Sequence, residues 1–324
     1  MRSGITQPTT DTLYPARKRR GVLGWLMEES FAGIARRKAL LAYLFLLPTV
    51  AGILVFTAGP VLFSFGLSLF RWDVITPAQF VGFHNYVRFW NDPEGLVSFG
   101  NTAIYVALDV TLQVVLGLAL ALGMRRKMAR WLRYVFRSVF FLPLITSGAA
   151  ISVVMAYLFN KELGAINYYI GLIGIGPVPW LTSPGWAMVT IVLTSVWQQI
   201  GFTFLVFTGG LGTISSEILD AADVDGASGW RRLWSITLPM LSPTMLFATI
   251  VGVIGALQVF DQPYVLTGGG PGDATRTIVM TIYQAAFQNL QVGYGSAIAV
   301  LLFLVILGVT ALQFWFSKRW VFYQ

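Results

Sequence analysis

Few side chains in this 324-residue chain are equipped for chemistry. There is no cysteine and a single histidine, His84. A disulfide framework, a thiol nucleophile and a cysteine-based metal site are therefore excluded, and histidine-based zinc or proton-relay chemistry has almost nothing to use. The run "GASG" at 226–229 has the G-x-S-G spacing of an intramembrane serine protease. Ser228 would need a base within hydrogen-bond reach, so this reading depends on where the chain places His84. None of the five lysines follows a glycine, which excludes a G-x-x-x-x-G-K-[ST] phosphate loop. The expectation is no catalytic residue and no metal site.

Two polar constellations remain. The first is "EILDAADVDGASGWRRLWSITLP" at 217–239, which gathers four of the fourteen acids into nine residues and follows them with Arg231 and Arg232. Ser216 is placed to cap a short helix with Glu217 and Asp220 in its first turn, where the helix dipole favours acids. Gly226 breaks that run, and Ser228 is placed to cap a second short helix carrying Trp230, Leu233, Trp234 and Ile236, with Pro239 before the next apolar segment. Left in water, those aromatics would form a costly apolar patch, so a neighbouring element should cover them.

The second constellation lies inside apolar sequence: Trp197, Gln198 and Gln199, then Gln258, Asp261, Gln262 and Tyr264. Planar amides and aromatic faces suit a sugar, but glutamines in membrane helices also serve as interhelical hydrogen-bond glue. The residue types fit both roles. Asp109 is the one acid well inside an apolar segment. Intramembrane charge marks ion or proton paths in some transporters; here pairing within the bundle is the preferred expectation.

The elements that must position these residues are membrane spans. The chain is 56% hydrophobic and 11% charged, with a mean hydropathy of +0.70, whereas a soluble domain carries about 25% charged residues. A crossing needs about 20 mainly apolar residues. Six segments qualify: within Ala39 to Phe70 (with Pro48 and Pro60 expected to kink or bound it), near Thr102 to Gly123, Ser138 to Phe159, Trp186 to Thr208, Leu241 to Phe260 and Gly293 to Trp315. The expected fold is an all-α, multi-pass integral membrane protein with six transmembrane helices.

Charge orients the six. The N-terminal stretch, the 124–137 loop, the 209–240 loop and the C-terminus hold eighteen of the 22 lysines and arginines; the other four are Arg71, Arg88, Lys161 and Arg276. By the positive-inside rule both termini are cytoplasmic. His84 then falls on the face opposite Ser228, and the protease reading fails. The net charge of +8 is read as topological and lipid-facing, with no nucleic-acid partner; the basic loop of Arg125, Arg126, Lys127, Arg130, Arg133 and Arg137 suits anionic lipid. Residues 1–38 form a basic cytoplasmic tail in which Leu23, Leu26, Met27, Phe31 and Ile34 share a helical face. That pattern suits an interfacial helix and equally an ordinary cytosolic amphipathic one.

At this point the chain resembles a family. "DAADVDGASGWRRLWSITLP" is similar to the Glu-Ala-Ala loop of binding-protein-dependent ABC importer permeases. Position by position, Asp220 stands where that loop has glutamate, followed by Ala221, Ala222, Asp225, Gly226 and Ala227, then Leu238 and Pro239. The segments "FVGFHNYVRFW", "VWQQIGFTFLVFTGGLGTIS", "VFDQPYVLTGGGPGDATRTIVMTIYQAAF", "GYGSAIAV" and "KRWVFYQ" resemble the first permease subunit of the carbohydrate and glycerol-phosphate branch, related to the maltose and glycerol-phosphate permeases.

The resemblance implies a type I importer permease domain at 39–324 in a bacterial inner membrane, with a coupling loop at 212–240. Its contacts to an ABC ATPase would be Glu217, Asp220, Ala221, Ala222, Asp225, Gly226, Ala227, Leu238 and Pro239. It further implies a second homologous permease subunit, an extracytoplasmic substrate-binding protein, and no cofactor on this chain, ATP and Mg being bound by the ATPase. Trp197, Gln198, Gln199, Gln258, Asp261 and Tyr264 are the substrate-pathway candidates. An ion-coupled secondary transporter of small polar solutes is the alternative.

Overall fold

A computed structural model describes residues 31–124 and 129–322. The amphipathic face expected at 21–34 begins outside the described residues, as do Arg125, Arg126 and Lys127 of the basic loop. The chain divides into two compact units, Met1–Leu62 and Phe63–Gln324.

The first unit is carried by α1 (Phe31–Ile53), which passes through a π-helical turn at Leu54–Ala58 into α2 (Gly59–Leu67). Leu40, Leu44, Phe45, Leu47 and Phe56 are all exposed. A helix that is apolar all round belongs in lipid or against another apolar surface. Pro48 lies inside α1 and does not end it. Near Pro60 the helix adjusts its pitch: Gly59 N–H bonds to Leu54 O, a widened turn directly before a residue that has no N–H and whose ring crowds the preceding turn.

The second unit begins within α2, and its first complete element is a hairpin, β1 (Phe70–Arg71) and β2 (Gln79–Phe80), antiparallel with Phe70 opposite Phe80. Asp73 ties its turn, Oδ1 accepting from the backbone N–H groups of Thr76 (2.7 Å) and Ile75 (3.1 Å) and from the Thr76 hydroxyl (2.7 Å). There follow α3 (His84–Trp90), α4 (Pro93–Met124), α5 (Arg130–Phe141), a 3-10 turn at Leu142–Ile145, α6 (Gly148–Leu158), α7 (Ala165–Leu172) and α8 (Pro184–Gly212). Next come α9 (Ser216–Val224), α10 (Gly229–Arg232), a π turn at Leu233–Thr237 and α11 (Leu238–Leu257). A π turn at Pro263–Thr267, α12 (Ile278–Tyr283), a π turn at Gln284–Gln288 and α13 (Val292–Ser317) complete the unit.

Five helical stretches are long and apolar enough to cross a membrane: Ala35–Leu67, Pro93–Met124, Pro184–Gly212, Gly229–Leu257 and Val292–Ser317. The crossing expected at Ser138 to Phe159 is different. It is a pair of helices bent by 104° between Ile145 and Gly148, so six crossings result only if the two arms act as one. Pro143, which cannot donate a ladder bond, and the Ser147–Gly148 step interrupt the helix there. The first arm carries Arg130, Arg133 and Arg137 at helical spacing. An arginine stripe of that kind suits a membrane surface and is costly in hydrocarbon.

The core forms around α8, the most enclosed span, with 61% of its apolar window buried. One cluster joins Tyr105 and Val110 of α4, Ile191 and Val196 of α8, Val253 of α11, Ile278 of α12 and Ile298 of α13. A second joins Ala121, Phe204, Phe207, Leu211, Leu241 and Ala248. Lipid tails are as apolar as leucine, so packing and interhelical hydrogen bonds hold such a bundle. Tyr105 donates to Ser195 Oγ at 2.7 Å, fully buried between α4 and α8, a bond worth about 1 kcal/mol.

The loop at 266–277 is drawn onto the start of α4 by Arg276. Its guanidinium meets Glu94 (2.9 Å), Gln284 (2.8 Å) and Asp273 (2.7 Å), while Asn101 Nδ2 donates to the carbonyls of Asp273 and Arg276.

Candidate functional site

A cavity of about 300 Å³ opens beside the middle of the bundle. One wall is α4, where Tyr105, Asp109 and Gln113 recur at intervals of four and so share a face. A second wall is α8, with Gln198, Gln199, Phe202 and Thr203. The third is the end of α11 and the chain beyond it, from Val251 to Gln262. Here α11 stops: Gln258 N–H turns back to Gly255 and Ala256, and Pro263, without an N–H, starts the following π turn. Irregular backbone among membrane helices is tolerated where it is buried in protein or lines a cavity. Gly148, at the start of α6, adjoins Asp261 so closely that a Cβ there would lie 2.5 Å from its Oδ2.

Amides run between the walls. Gln262 Nε2 donates to Gln198 Oε1 (2.9 Å), and Gln198 Nε2 donates to Thr146 O (3.2 Å), joining the 258–262 break, α8 and the bend before α6. Gln113 Nε2 donates to Asp109 Oδ2 at 2.6 Å. Asp109 is 2% exposed. Phe260 enters the wall with Tyr264 stacked behind it (4.9 Å between centroids) and Tyr283 beyond.

Four of the six pathway candidates, Gln198, Gln199, Gln258 and Asp261, line this cavity; Trp197 and Tyr264 do not. Trp197 is one residue from Gln198, about 100° around the helix, and is 46% exposed. Tyr264 is held by Phe260 and Tyr283. Asp109 is paired within the bundle: Gln113 of its own helix donates to it and the Ser195 hydroxyl of α8 is its other polar partner, and among the described residues no lysine, arginine or histidine lines the cavity. Tyr105, Gln113, Phe202, Thr203, Phe260 and Gln262 also line it. The period-four repeat of polar residues through α4 was the signal available for Tyr105 and Gln113. Phe202, Phe260 and Thr203 carried none.

The charged stretch forms a hairpin between α8 and α11. Its first helix is α9, where Ser215, not Ser216, supplies the capping oxygen, accepting from Glu217 N–H at 3.2 Å. Gly226 has φ +74°, and Ala227 N–H reaches back to Ala222 O at 2.8 Å, the six-to-one closure that ends helices at a left-handed residue. The second short helix is not a separate element. Ser228 makes no side-chain cap, and α10 continues through the π turn, where Leu238 N–H bonds to Leu233 O, into α11. Pro239 thus lies within a continuous 29-residue stretch, Gly229–Leu257. Ser242 Oγ donates to Pro239 O at 2.6 Å, an acceptor that Pro243 cannot serve.

Glu217, Asp220, Ala221, Asp225, Gly226 and Pro239 are exposed, Ala227 and Leu238 half-buried and Ala222 buried. Trp230 and Trp234 are 75% and 65% exposed, with no described neighbour covering them. A cavity of about 1030 Å³ at this end is walled by Met124, Phe136, Phe140, Trp230 and Leu233. His84, Glu94 and Arg276 line a cavity together at the other end. Glu94 lies in the first turn of α4 and Met124 ends it, a helix about 48 Å long, so Ser228 and His84 are far out of reach of each other. Among the described residues no three His, Cys, Asp or Glu side chains form a metal-binding group.

The family described as "Binding-protein-dependent transport system inner membrane component" matches residues 113–321. The trehalose/maltose transport system permease protein MalF of Thermococcus litoralis is 37% identical over 85% of this chain and 92% of its own length. The sn-glycerol-3-phosphate transport system permease protein UgpA of Agrobacterium fabrum is 32% identical over 88% of this chain and 97% of its own. A chain of a bacterial ABC transporter that imports the acidic polysaccharide alginate shares the fold, with a TM-score of 0.77, 23% identity and coverage of 87% of this chain and 96% of that one. These matches displace the ion-coupled reading. The chain belongs to the inner-membrane components of binding-protein-dependent transport systems, and is a multi-span permease of an ABC importer.

Proposed function

We propose that the chain lines one half of a translocation pathway for a sugar, or a sugar-like polyol or glycerol-phosphate compound, and that a separate ATPase drives it through the hairpin at 212–240. The observation that carries this is mechanical. The hairpin hangs between α8 and α11, the two helices that bear half of the cavity wall, and it joins α11 without an intervening loop. A displacement of Glu217 to Ala227 is therefore passed through the short 213–215 link into α8, toward Gln198 and Gln199, and through the 225–228 turn into α10 and α11, toward Val251 to Ala256. The solute class follows the names of the relatives, trehalose/maltose and sn-glycerol-3-phosphate permeases.

In this reading both termini and the hairpin are cytoplasmic. The ATPase binds ATP and Mg, and this chain holds no cofactor and performs no chemistry. Glu217, Asp220, Ala221, Ala222, Asp225, Gly226, Ala227, Leu238 and Pro239 face the ATPase. A second, homologous permease completes the pathway, and a substrate-binding protein docks on the loops at 80–93, 176–186 and 266–277. Nucleotide-driven closure of the ATPase pair moves the hairpin and alternates the cavity's access between the two faces.

The experiment replaces Ala221→Arg or Gly226→Trp in the reconstituted complex. Both positions are exposed and nothing lies within 4 Å of a Cβ at Gly226, so insertion should survive while uptake is lost and ATP hydrolysis runs uncoupled. Normal uptake in both variants would defeat the coupling role. A single cysteine at Ser228 should react only from the cytoplasmic face; reaction from outside would overturn the orientation.

A further inference from the structure

The cavity of about 1030 Å³ at the hairpin end shares no lining residue with the Asp109 cavity. Its apolar walls are Leu120, Leu122 and Met124 of α4, Phe136 and Phe140 of α5, and Leu233 of the π turn after α10. Arg232 also lines it, and among the described residues no acid does. We propose that this cavity seats an anionic phospholipid of the cytoplasmic leaflet, an acyl chain lying between α4 and α5 and the phosphate meeting Arg232 and the arginines of α5. The choice of leaflet rests on the orientation in the permease reading above; the site itself does not.

Depth in the membrane comes first. At 32 residues, α4 is about 48 Å long against a hydrocarbon core of about 30 Å, so its ends reach the headgroup regions. Charge complementarity then selects the occupant. On α5, Phe136 and Phe140 are four residues apart and share a face. Positions 133, 137 and 130 lie about 60°, 100° and 120° around the helix from Phe136, so an arginine stripe flanks the apolar face. Arg130 and Arg137 are exposed. The hairpin's acids sit on α9, before Gly226, and line no part of the cavity. Arginine pairs a phosphate bidentately, and basic pockets between membrane helices on the cytoplasmic side suit anionic headgroups. The apolar walls disfavour the other occupants. Water needs two to four polar partners, which leucine and phenylalanine do not supply, and a sugar's hydroxyls would go equally unmatched. A flat protein surface would cover the mouth without filling the depth between α4 and α5. A phospholipid brings both chemistries in one molecule.

The full transporter, ATPase included, is placed in nanodiscs with phosphatidylglycerol carrying a photoactivatable diazirine in one acyl chain, or with the phosphatidylcholine counterpart. Labelled residues are mapped by mass spectrometry. The phosphatidylglycerol probe should label the cavity walls on α4 and α5 at least about fivefold more than the phosphatidylcholine probe, the factor for one basic residue beside anionic lipid. Arg137→Gln and Arg232→Gln should each lower that labelling about fivefold, while Arg319→Gln, which lies outside the wall, should leave it unchanged. Gly123 lines the cavity and has nothing within 4 Å of an added Cβ. Gly123→Phe should therefore fill the space and abolish labelling with every arginine in place. Soluble glycerol phosphate at matched ionic strength should not compete.

Equal labelling by the two lipids, or labelling that survives Gly123→Phe, overturns the site. Displacement by glycerol phosphate would make it a soluble-phosphate site, and labelling seen only after the ATPase is removed would give the cavity to that subunit; either result also overturns the lipid. ATP-dependent uptake by a transporter whose cavity stays unlabelled strikes the lipid site and leaves the permease reading standing. Labelling as expected in a transporter that takes up no solute with ATP does the opposite.

Discussion

The hairpin at 216–237 turns Trp230 and Trp234 outward into the surroundings, while the cavity near Asp109 is lined by carboxylate and amide groups. Each region carries groups that the folded chain leaves unmatched, and the chemistry of the mismatch differs. Outward apolar surface is relieved by a flat macromolecular partner that excludes water. Inward polar atoms are relieved by something small enough to enter and rich enough in donors to pair them. The two regions share α8 and α11, so occupancy of one is mechanically connected to occupancy of the other. Because the groups left unmatched differ in chemistry, substitutions in the hairpin should act first on assembly, and substitutions in the cavity first on solute transport.

The sharpest break in that comparison comes from the tryptophans. Trp230→Ala and Trp234→Ala should each weaken association with the ATPase by about thirtyfold, the effect of losing about 2 kcal/mol at an interface anchor. The thermal stability of the permease in detergent should change by less than about 0.5 kcal/mol, as for exposed sites generally. Tryptophan is also at home in the lipid headgroup region. A fall in stability with ATPase affinity unchanged would assign both side chains to the membrane surface and remove the partner from this half of the comparison.

The next largest effect should fall on the cavity. Gln198→Ala removes an acceptor from Gln262 and a donor from Thr146 O, leaving two polar groups short of partners at a cost of about 1–3 kcal/mol. Uptake should drop about tenfold while ATPase association holds at its wild-type value. Loss of both together would show that the cavity wall and the hairpin fold as one unit.

How much of this was readable from the residues differs between the two regions. The hairpin was legible because its signals are local: acids clustered at 217–225, a glycine able to take φ +74°, and arginines after it. What the sequence reading missed there was continuity, since Pro239 looked like a boundary and the π turn at 233–237 absorbs it. The cavity was legible only in part. Gln198, Gln199, Gln258 and Asp261 stood out as polar residues in apolar runs, but whether Asp109 finds a cation depends on side chains distant in sequence. Trp197 stood out for its aromatic face, but one residue along a helix is about 100° around it, and Trp197 lies outside the cavity wall that Gln198 and Gln199 line. Hydropathy similarly located the apolar run at 138–159 and said nothing of its direction, so the 104° bend was lost although Pro143 and Gly148 announced a break.

Gly226 allows a finer adjustment of the hairpin. A side chain at Gly226 meets no neighbouring atom, so Gly226→Ala tests backbone strain alone, costing about 1–2 kcal/mol in a left-handed conformation. Uptake should fall a few-fold, and Gly226→Asn, which tolerates that conformation better, should recover most of it. Equal defects in both would point to side-chain bulk against the ATPase instead of hairpin geometry.

The smallest effect should come from Asp73, which lies in neither region. Its carboxyl is held below the usual carboxylate range, first by the Thr76 backbone N–H, then by the Thr76 hydroxyl, with Ile75 N–H adding less. A depressed carboxyl supports the folded turn fully above the unfolded value, near about 3.9, and that support fades as pH falls through the lower folded value. Hydrogen exchange of the 70–80 hairpin should accelerate in Asp73→Asn at neutral pH, and in the wild type only in strong acid. Uptake and ATPase association should stay unchanged at neutral pH, because Asp73 touches neither the wall of the Asp109 cavity nor the 216–237 hairpin. A transport defect in Asp73→Asn would mean that the β1–β2 hairpin takes part in solute delivery, and the comparison would then need a third region.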